Sequence, residues 1–171
     1  MMVFQLARIP SDFDSAEGLL KVEQFQVAYV TNDADAAIDL FTRQLGVREF
    51  VRLEGDTPEG GHVRAEFAWV GTIMYEIIQA SGPGTEIFSS RMPQPGPFRM
   101  VQHHLGFLIR DDAQFEAVLA NARGRGWIVP HEDENPFVRV CFVEVPGLPH
   151  YLEYLRPSGA GMAFFENVPR T

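Results

Sequence analysis

The chain has 171 residues, 46% apolar and 22% charged, which is one domain's worth with enough core to fold without staples. Asp and Glu number 23 against 14 Lys and Arg, and the formal charge of −9 would repel phosphate backbones and anionic lipid, so neither nucleic acid nor a membrane surface is an expected partner. The lone Cys141 excludes an internal disulfide and any multi-cysteine zinc or iron–sulfur site.

In chain order, Met1 to Arg8 shows no basic stretch before an apolar one, and no apolar run nears the roughly 20 residues that span a bilayer. The expectation is a soluble, cytoplasmic protein. Residues 1–21 lack a sustained period and read as a loosely packed arm. Residues 22–30 alternate β-branched and aromatic side chains, hence a strand. Asn32-Asp33 is an N-cap signal before Ala36, Ala37, Leu40, Phe41 and Leu45 at helical spacing, and Gly46 is a helix stop. Strands follow at 47–53, 63–70 and 72–79, with a turn-rich loop over 54–61. Residues 81–98 are dense in Pro and Gly and form a linker or lid. The pattern then returns: a strand at 101–109, an Asp111-Asp112 cap, a helix carrying Phe115, Val118 and Leu119, glycines 124 and 126 ending it, and strands at 127–129, 138–143 and 151–155. Residues 157–171 are a tail.

The return can be tested by register. Sliding the first half by 78 residues sets Gln26 on His104, Asp33 on Asp111, Phe41 on Leu119 and Gly46 on Gly124, without a gap. The expected fold is therefore α+β: two tandem βαβββ modules, residues 22–80 and 99–156, within one structural domain.

Two glutamates stand out. Glu76 lies in the otherwise apolar run Ile73-Met74-Tyr75-Glu76-Ile77-Ile78, and Glu153 holds the matching place in Tyr151-Leu152-Glu153-Tyr154-Leu155. A carboxylate is rarely buried unless it is paired or holds a metal. Gln26 and His104 sit in mid-strand among apolar neighbours and are equivalent in the same register. A pseudo-twofold would bring all four onto the concave faces of the sheets, and three oxygen donors with one imidazole suit a divalent cation of hard to borderline character.

These residues resemble the vicinal oxygen chelate superfamily. "FQVAYVTNDADAAIDLFTRQLGV" looks like the first strand and helix of its modules, "GTIMYEIIQ" and "HYLEYL" like its ligand-bearing last strands, and "HHLGFLIRDDAQFEAVLANARGRG" like the opening of the second module. The resemblance implies an open barrel around one divalent ion (Zn, Ni, Co, Mn or Mg) held by Gln26, Glu76, His104 and Glu153, and a homodimer. The ligand set is similar to that of glyoxalase I enzymes with glutamine first. The double histidine and "YEIIQ" look more like methylmalonyl-CoA epimerase, which would show histidine at position 26 and glutamine at position 76, where this chain has Gln26 and Glu76.

The implied chemistry is a glyoxalase-type lyase, isomerase or epimerase reaction. A proton moves next to a carbonyl of a small thioester, hemithioacetal or ketone, with Glu153, or else Glu76, as base. A metal-free binding protein of the bleomycin-resistance type is the alternative. Ring-cleaving dioxygenase is a weaker one, because it needs two histidines and only His104 falls on a ligand position. His103, one residue earlier, is expected on the opposite face in a packing or hydrogen-bonding role. His150 reads as a turn residue, Cys141 as a small hydrophobe, Arg91 and Arg99 as surface groups, with Arg99 alternatively meeting an anionic substrate group, and Phe88, Met92 and Phe98 as pocket wall or loop anchor.

Overall fold

The computed structural model describes residues 14–171. The strands are β1 (Glu23–Thr31), β2 (Val51–Asp56), β3 (His62–Val70), β4 (Ile73–Ser81), β5 (Met100–Leu108), β6 (Ile128–Glu134), β7 (Val138–Glu144) and β8 (Tyr151–Pro157). The helices are α1 (Ala34–Asp39), α2 (Glu86–Ser89), α3 (Asp112–Gly124) and α4 (Gly159–Asn167). The strands form one eight-stranded sheet in the order β2-β3-β4-β1-β5-β8-β7-β6, curled into an open half-barrel, an α+β fold. No helix among the described residues is long and apolar enough to cross a membrane.

The seam between the halves is the antiparallel pair β1–β5. Val27 faces Leu105, Gln26 faces Gly106 and Ala28 faces His104. Moving each residue by 78 turns the Gln26–Gly106 pair into the His104–Ala28 pair and leaves Val27–Leu105 unchanged, so a pseudo-twofold passes through that last pair. On either side the first strand of a half runs parallel to its last strand, Ala28 beside Glu76 and Gly106 beside Glu153.

Each half covers its outer face with a helix. The Asp33 and Asp111 carboxylates accept the backbone N–H groups of Ala36 and Gln114, as their N-cap positions predict. Helix α1 packs Ala37 and Phe41 on Ala68 and Ile77, and α3 packs Phe115, Val118 and Leu119 on Phe107, Leu152 and Tyr154. Here the halves part. Helix α1 ends in a π-helical turn, Leu40–Gln44, whose wider winding swings Leu45 off the apolar stripe to 60% exposure, and Val47 is buried in its stead. Helix α3 stays regular and longer, so its left-handed glycine is Gly126 (φ 71°), while Gly124 is still helical.

Two expectations about loose segments change, and the linker takes one of its two expected roles. Residues 1–13 of the expected arm lie outside the described residues. The rest of the arm is packed, with Leu19 buried and its carbonyl accepting the Tyr154 hydroxyl at 2.7 Å, because a buried phenol needs a partner. The tail also folds back. Ser158 caps α4, Phe164 meets Phe67 and Phe165 meets Phe25 on the inner face, and Trp69 donates its indole N–H to the Phe165 carbonyl. Phe164 and Phe165 of the tail are thus half-buried against their own chain. The linker carries α2, whose Phe88, with Met92, anchors it to the inner core, while Phe98 is exposed. Arg91 lies over the Tyr151 ring at 3.6 Å and donates to the Pro149 carbonyl, a more enclosed place than the surface expected for it.

Candidate metal centre

The seam register explains how four side chains from four strands converge. Along one row across the sheet lie Glu76, Ala28 and His104; along the next lie Gln26, Gly106 and Glu153. The middle residue of each row is small, so the longer side chains meet above it. A Cβ built on Gly106 would stand 2.7 Å from the Gln26 Cβ, closer than real side chains pack.

His104 Nε2 lies 3.2 Å from Glu76 Oε2 and 3.0 Å from Glu153 Oε2, and Gln26 donates its amide N–H to Glu76 Oε2 at 2.9 Å. Donor atoms of Glu76, His104 and Glu153 all lie within 4.8 Å of one another. Two ligands about 2.1 Å from one ion, at tetrahedral or octahedral angles, stand roughly 3.0–3.4 Å apart, which is the spacing of the imidazole to each carboxylate. Among the described residues, five buried side-chain atoms have no aligned hydrogen-bond partner. Three of them are here: Gln26 Oε1, His104 Nε2 and Glu153 Oε2. The donors therefore fit a divalent cation. Half a turn of the Gln26 amide would present its oxygen alongside them.

Strict alternation sends His103 to the outer face, and the structure overturns this. The β1–β5 pairing skips His103, with Ala28 opposite His104 and Tyr29 opposite Gln102. The bulge turns two consecutive side chains inward. The same irregularity skips Phe25, its equivalent in the first half. His103 is buried against Phe88, Phe142 and Tyr151, and the expected hydrogen-bonding role stands.

That role is specific. The Ile87 carbonyl, 2.8 Å from His103 Nε2, can only accept, so Nε2 carries the hydrogen. Burial, reinforced by the charge on His104, pulls His103 down to about 3, and the neutral ring offers Nδ1 as an acceptor. The 2.8 Å contact between the two Nδ1 atoms is then a hydrogen bond donated by His104. This leaves His104 Nε2 facing the two glutamates. Burial works against a charge there, but Glu153 and then Glu76 outweigh it and push His104 up to about 10. Burial raises Glu76 from the usual carboxylate range, with His104 pulling the other way.

The remaining histidine and cysteine candidates stay outside the site. His150 lies in the turn before β8, and the buried Cys141 thiol is pushed up to about 12 by burial, which makes it inert.

Beside the cluster a cavity of about 320 Å³ opens inside the half-barrel. Gln26, Glu76 and Glu153 form its floor, while Leu53, Phe67, Phe137, Phe164 and Phe165 line its walls. The wall from α4 is legible in the sequence only as the pair Phe164-Phe165, with no signal that it folds inward.

The sequence profile of the Glyoxalase/Bleomycin resistance protein/Dioxygenase superfamily matches residues 24–141. Comparison with curated proteins finds no match. Among solved structures the fold is similar to a Streptomyces coelicolor methylmalonyl-CoA epimerase variant in complex with 2-nitronate-propionyl-CoA (TM-score 0.53, 13% identity, covering 81% of this chain and 99% of that one). It is also similar to methylmalonyl-CoA epimerase from Mycobacterium tuberculosis (0.51, 15%, 82% and 91%) and to a 4-hydroxymandelate synthase mutant from Streptomyces coelicolor (0.51, 14%, 81% and 49%). Identities this low carry the fold alone. The profile match spans more than half of the residues, both halves of the seam and three of the four converging side chains: the chain belongs to the Glyoxalase/Bleomycin resistance protein/Dioxygenase superfamily.

Proposed function

We propose that the protein is an enzyme that binds one divalent cation through Glu76, His104, Glu153 and Gln26 and moves a proton next to a carbonyl group of a small organic substrate. The observation that carries this reading is how the fold treats buried acids. Glu66, buried on the other face, is paired with Arg52 at 2.6 Å and Arg64 at 2.8 Å. Glu76 and Glu153 are buried at the cavity floor, and among the described residues His104 is their one cationic partner. Two carboxylates kept without guanidinium groups cost stability that a structural role would not require.

When bound, a divalent cation supplies Lewis-acid polarisation of a carbonyl oxygen, which acidifies the adjacent carbon. The chain's own residues do the rest. Gln26 tethers Glu76 through its amide N–H, whereas Glu153 keeps a buried oxygen without an aligned donor. Glu153, which shares the His104 contact but lacks the amide tether, is the base that takes the proton; Glu76, at the pseudo-symmetric place, can return one from the other side. His104, oriented by His103, holds the two carboxylates apart, and the apolar walls exclude water from the reacting carbon. The fold neighbour that binds a nitronate supports the reading, since a nitronate carries its charge on oxygens beside a trigonal carbon, as an enolate does.

The apolar cavity also favours the second reading, a binding protein that needs no metal. One experiment separates them. Protein loaded with Co(II) or Zn(II) is incubated in D₂O with hemithioacetals, branched acyl thioesters and α-hydroxyketones, and loss of the α-proton is followed by NMR. Exchange that needs both the metal and Glu153, and that disappears in Glu153→Gln, is the expected result. Tight ligand binding by metal-free protein without exchange would favour the binding protein.

A further inference from the structure

We propose that the substrate meets the cluster with a single carbonyl-bearing head and fills the cavity with an uncharged, largely apolar body, an alkyl or aryl group, in place of a second carboxylate. The proposal rests on the metal-binding reading for the head and on the cavity walls for the body.

The walls offer nothing to an anion. Leu53 and Phe67 come from the first half, Phe137 and Leu155 from the second, and Phe164 and Phe165 from α4. Among the described residues no Lys, Arg or His lines the cavity, and its floor is acidic. The pleat accounts for this. Three wall residues, Leu53, Val138 and Leu155, each have an arginine as an immediate neighbour in sequence, and alternation sends all three guanidinium groups away from the cavity. There they are held by acids: Arg52 by Glu66 (2.6 Å), Arg139 by Glu116 (2.8 Å) and Arg156 by Asp112 (2.8 Å). Asn135, the remaining polar lining residue, turns its side-chain oxygen to the backbone N–H groups of Phe137 and Val138. The volume, about 320 Å³, holds roughly ten water-sized groups at about 30 Å³ each, which suits a six- to ten-carbon body.

The test uses matched probes on the full chain. Benzohydroxamate and 4-carboxybenzohydroxamate share a head and differ by one distal charge; they are titrated into Co(II)-loaded protein and read by the cobalt absorption band. Benzamide and 4-carboxybenzamide are titrated into metal-free protein and read by ligand NMR. The uncharged member of each pair is expected to bind on the order of a hundredfold tighter. Leu53→Arg, at the half-exposed rim, should shrink that ratio at least tenfold and leave cobalt affinity unchanged. Equal or tighter binding of the carboxylate member to the cobalt form, or no binding of either member in both forms, overturns the proposal. Failure to take up cobalt, with the benzamide preference and its loss in Leu53→Arg intact, would instead sink the metal reading and leave the apolar subsite standing.

Discussion

His104 gains its orientation from His103, a residue that does not line the cavity. The chain of contacts runs from the Ile87 carbonyl through His103 to His104 Nδ1 and fixes which imidazole nitrogen faces Glu76 and Glu153. His103→Phe separates this role from packing, because Phe25 already occupies the equivalent bulge and the ring contacts with Phe88 and Phe142 can persist. The variant should fold normally, bind a divalent ion about 10–100-fold more weakly by calorimetry, and show mixed Nδ1/Nε2 tautomers of His104 in ¹⁵N spectra of the neutral ring. Unchanged affinity with a single tautomer would remove the positioning role. At this scale the sequence is informative about intruders: Gln26, Glu76, His104 and Glu153 are polar residues in apolar strands. It is blind to the face of His103, because alternation holds only while every residue on one strand has a partner on the next.

Among the elements, the seam strands decide whether the cluster can form. Ala28 and Gly106 are the gaps over which the four side chains meet, and Gly106 has the least room, since Gln26 lies against it. Gly106→Ala should push Gln26 aside, break its hydrogen bond to Glu76 and cost about 1–3 kcal/mol in urea unfolding, the usual range for overpacking. A variant as stable as the parent, with the Gln26 side-chain amide resonances unmoved, would contradict the cradle. The strands themselves were readable from alternation, except that β2 runs later than expected, over 51–56, and β6 extends beyond 129 to 134, and both N-caps were readable from Asp33 and Asp111. The π turn after α1 was not, since Leu40, Phe41 and Leu45 satisfy an ordinary helical stripe until the turn widens. Nor was α4, whose glycine-rich start hides the helical periodicity of Met162, Phe164 and Phe165.

Taken as a whole, the molecule's stability should report on the cluster through pH. His104 is raised from 6.5 to about 10, so its contribution is fully present below pH 6.5 and is lost as pH climbs toward 10. The raised Glu76 acts in the same direction, favouring the fold below its ordinary value of 4.5 and losing that contribution as pH rises. Before metal is added, denaturant stability should therefore decline between pH 6.5 and 10, with a slope approaching one proton. A divalent ion should remove most of that decline and, at pH 7, displace about one proton, countable by calorimetry in buffers of different ionisation enthalpy. A flat profile without metal, or no proton release on uptake, would contradict the paired imidazolium. The tail adds nothing to the homodimer expected from the superfamily resemblance, because Phe164 and Phe165 of α4 pack on Phe67 and Phe25 of their own chain.

The self-mirrored seam gives the covalent link between the halves a meaning of its own. Gln26 and Glu76 belong to one half, His104 and Glu153 to the other, and the β1–β5 register would serve equally between two identical halves. Two copies of the first half would be confined to paired amides and carboxylates, and two copies of the second to paired imidazoles and carboxylates. Joining unlike halves in one polypeptide frees each donor to diverge from its mirror image, so a single exchange such as Gln26→His would alter the hardness of the donor set while its counterpart stayed fixed. A chain made of two such halves behaves as a heterodimer whose subunits stay joined by the polypeptide.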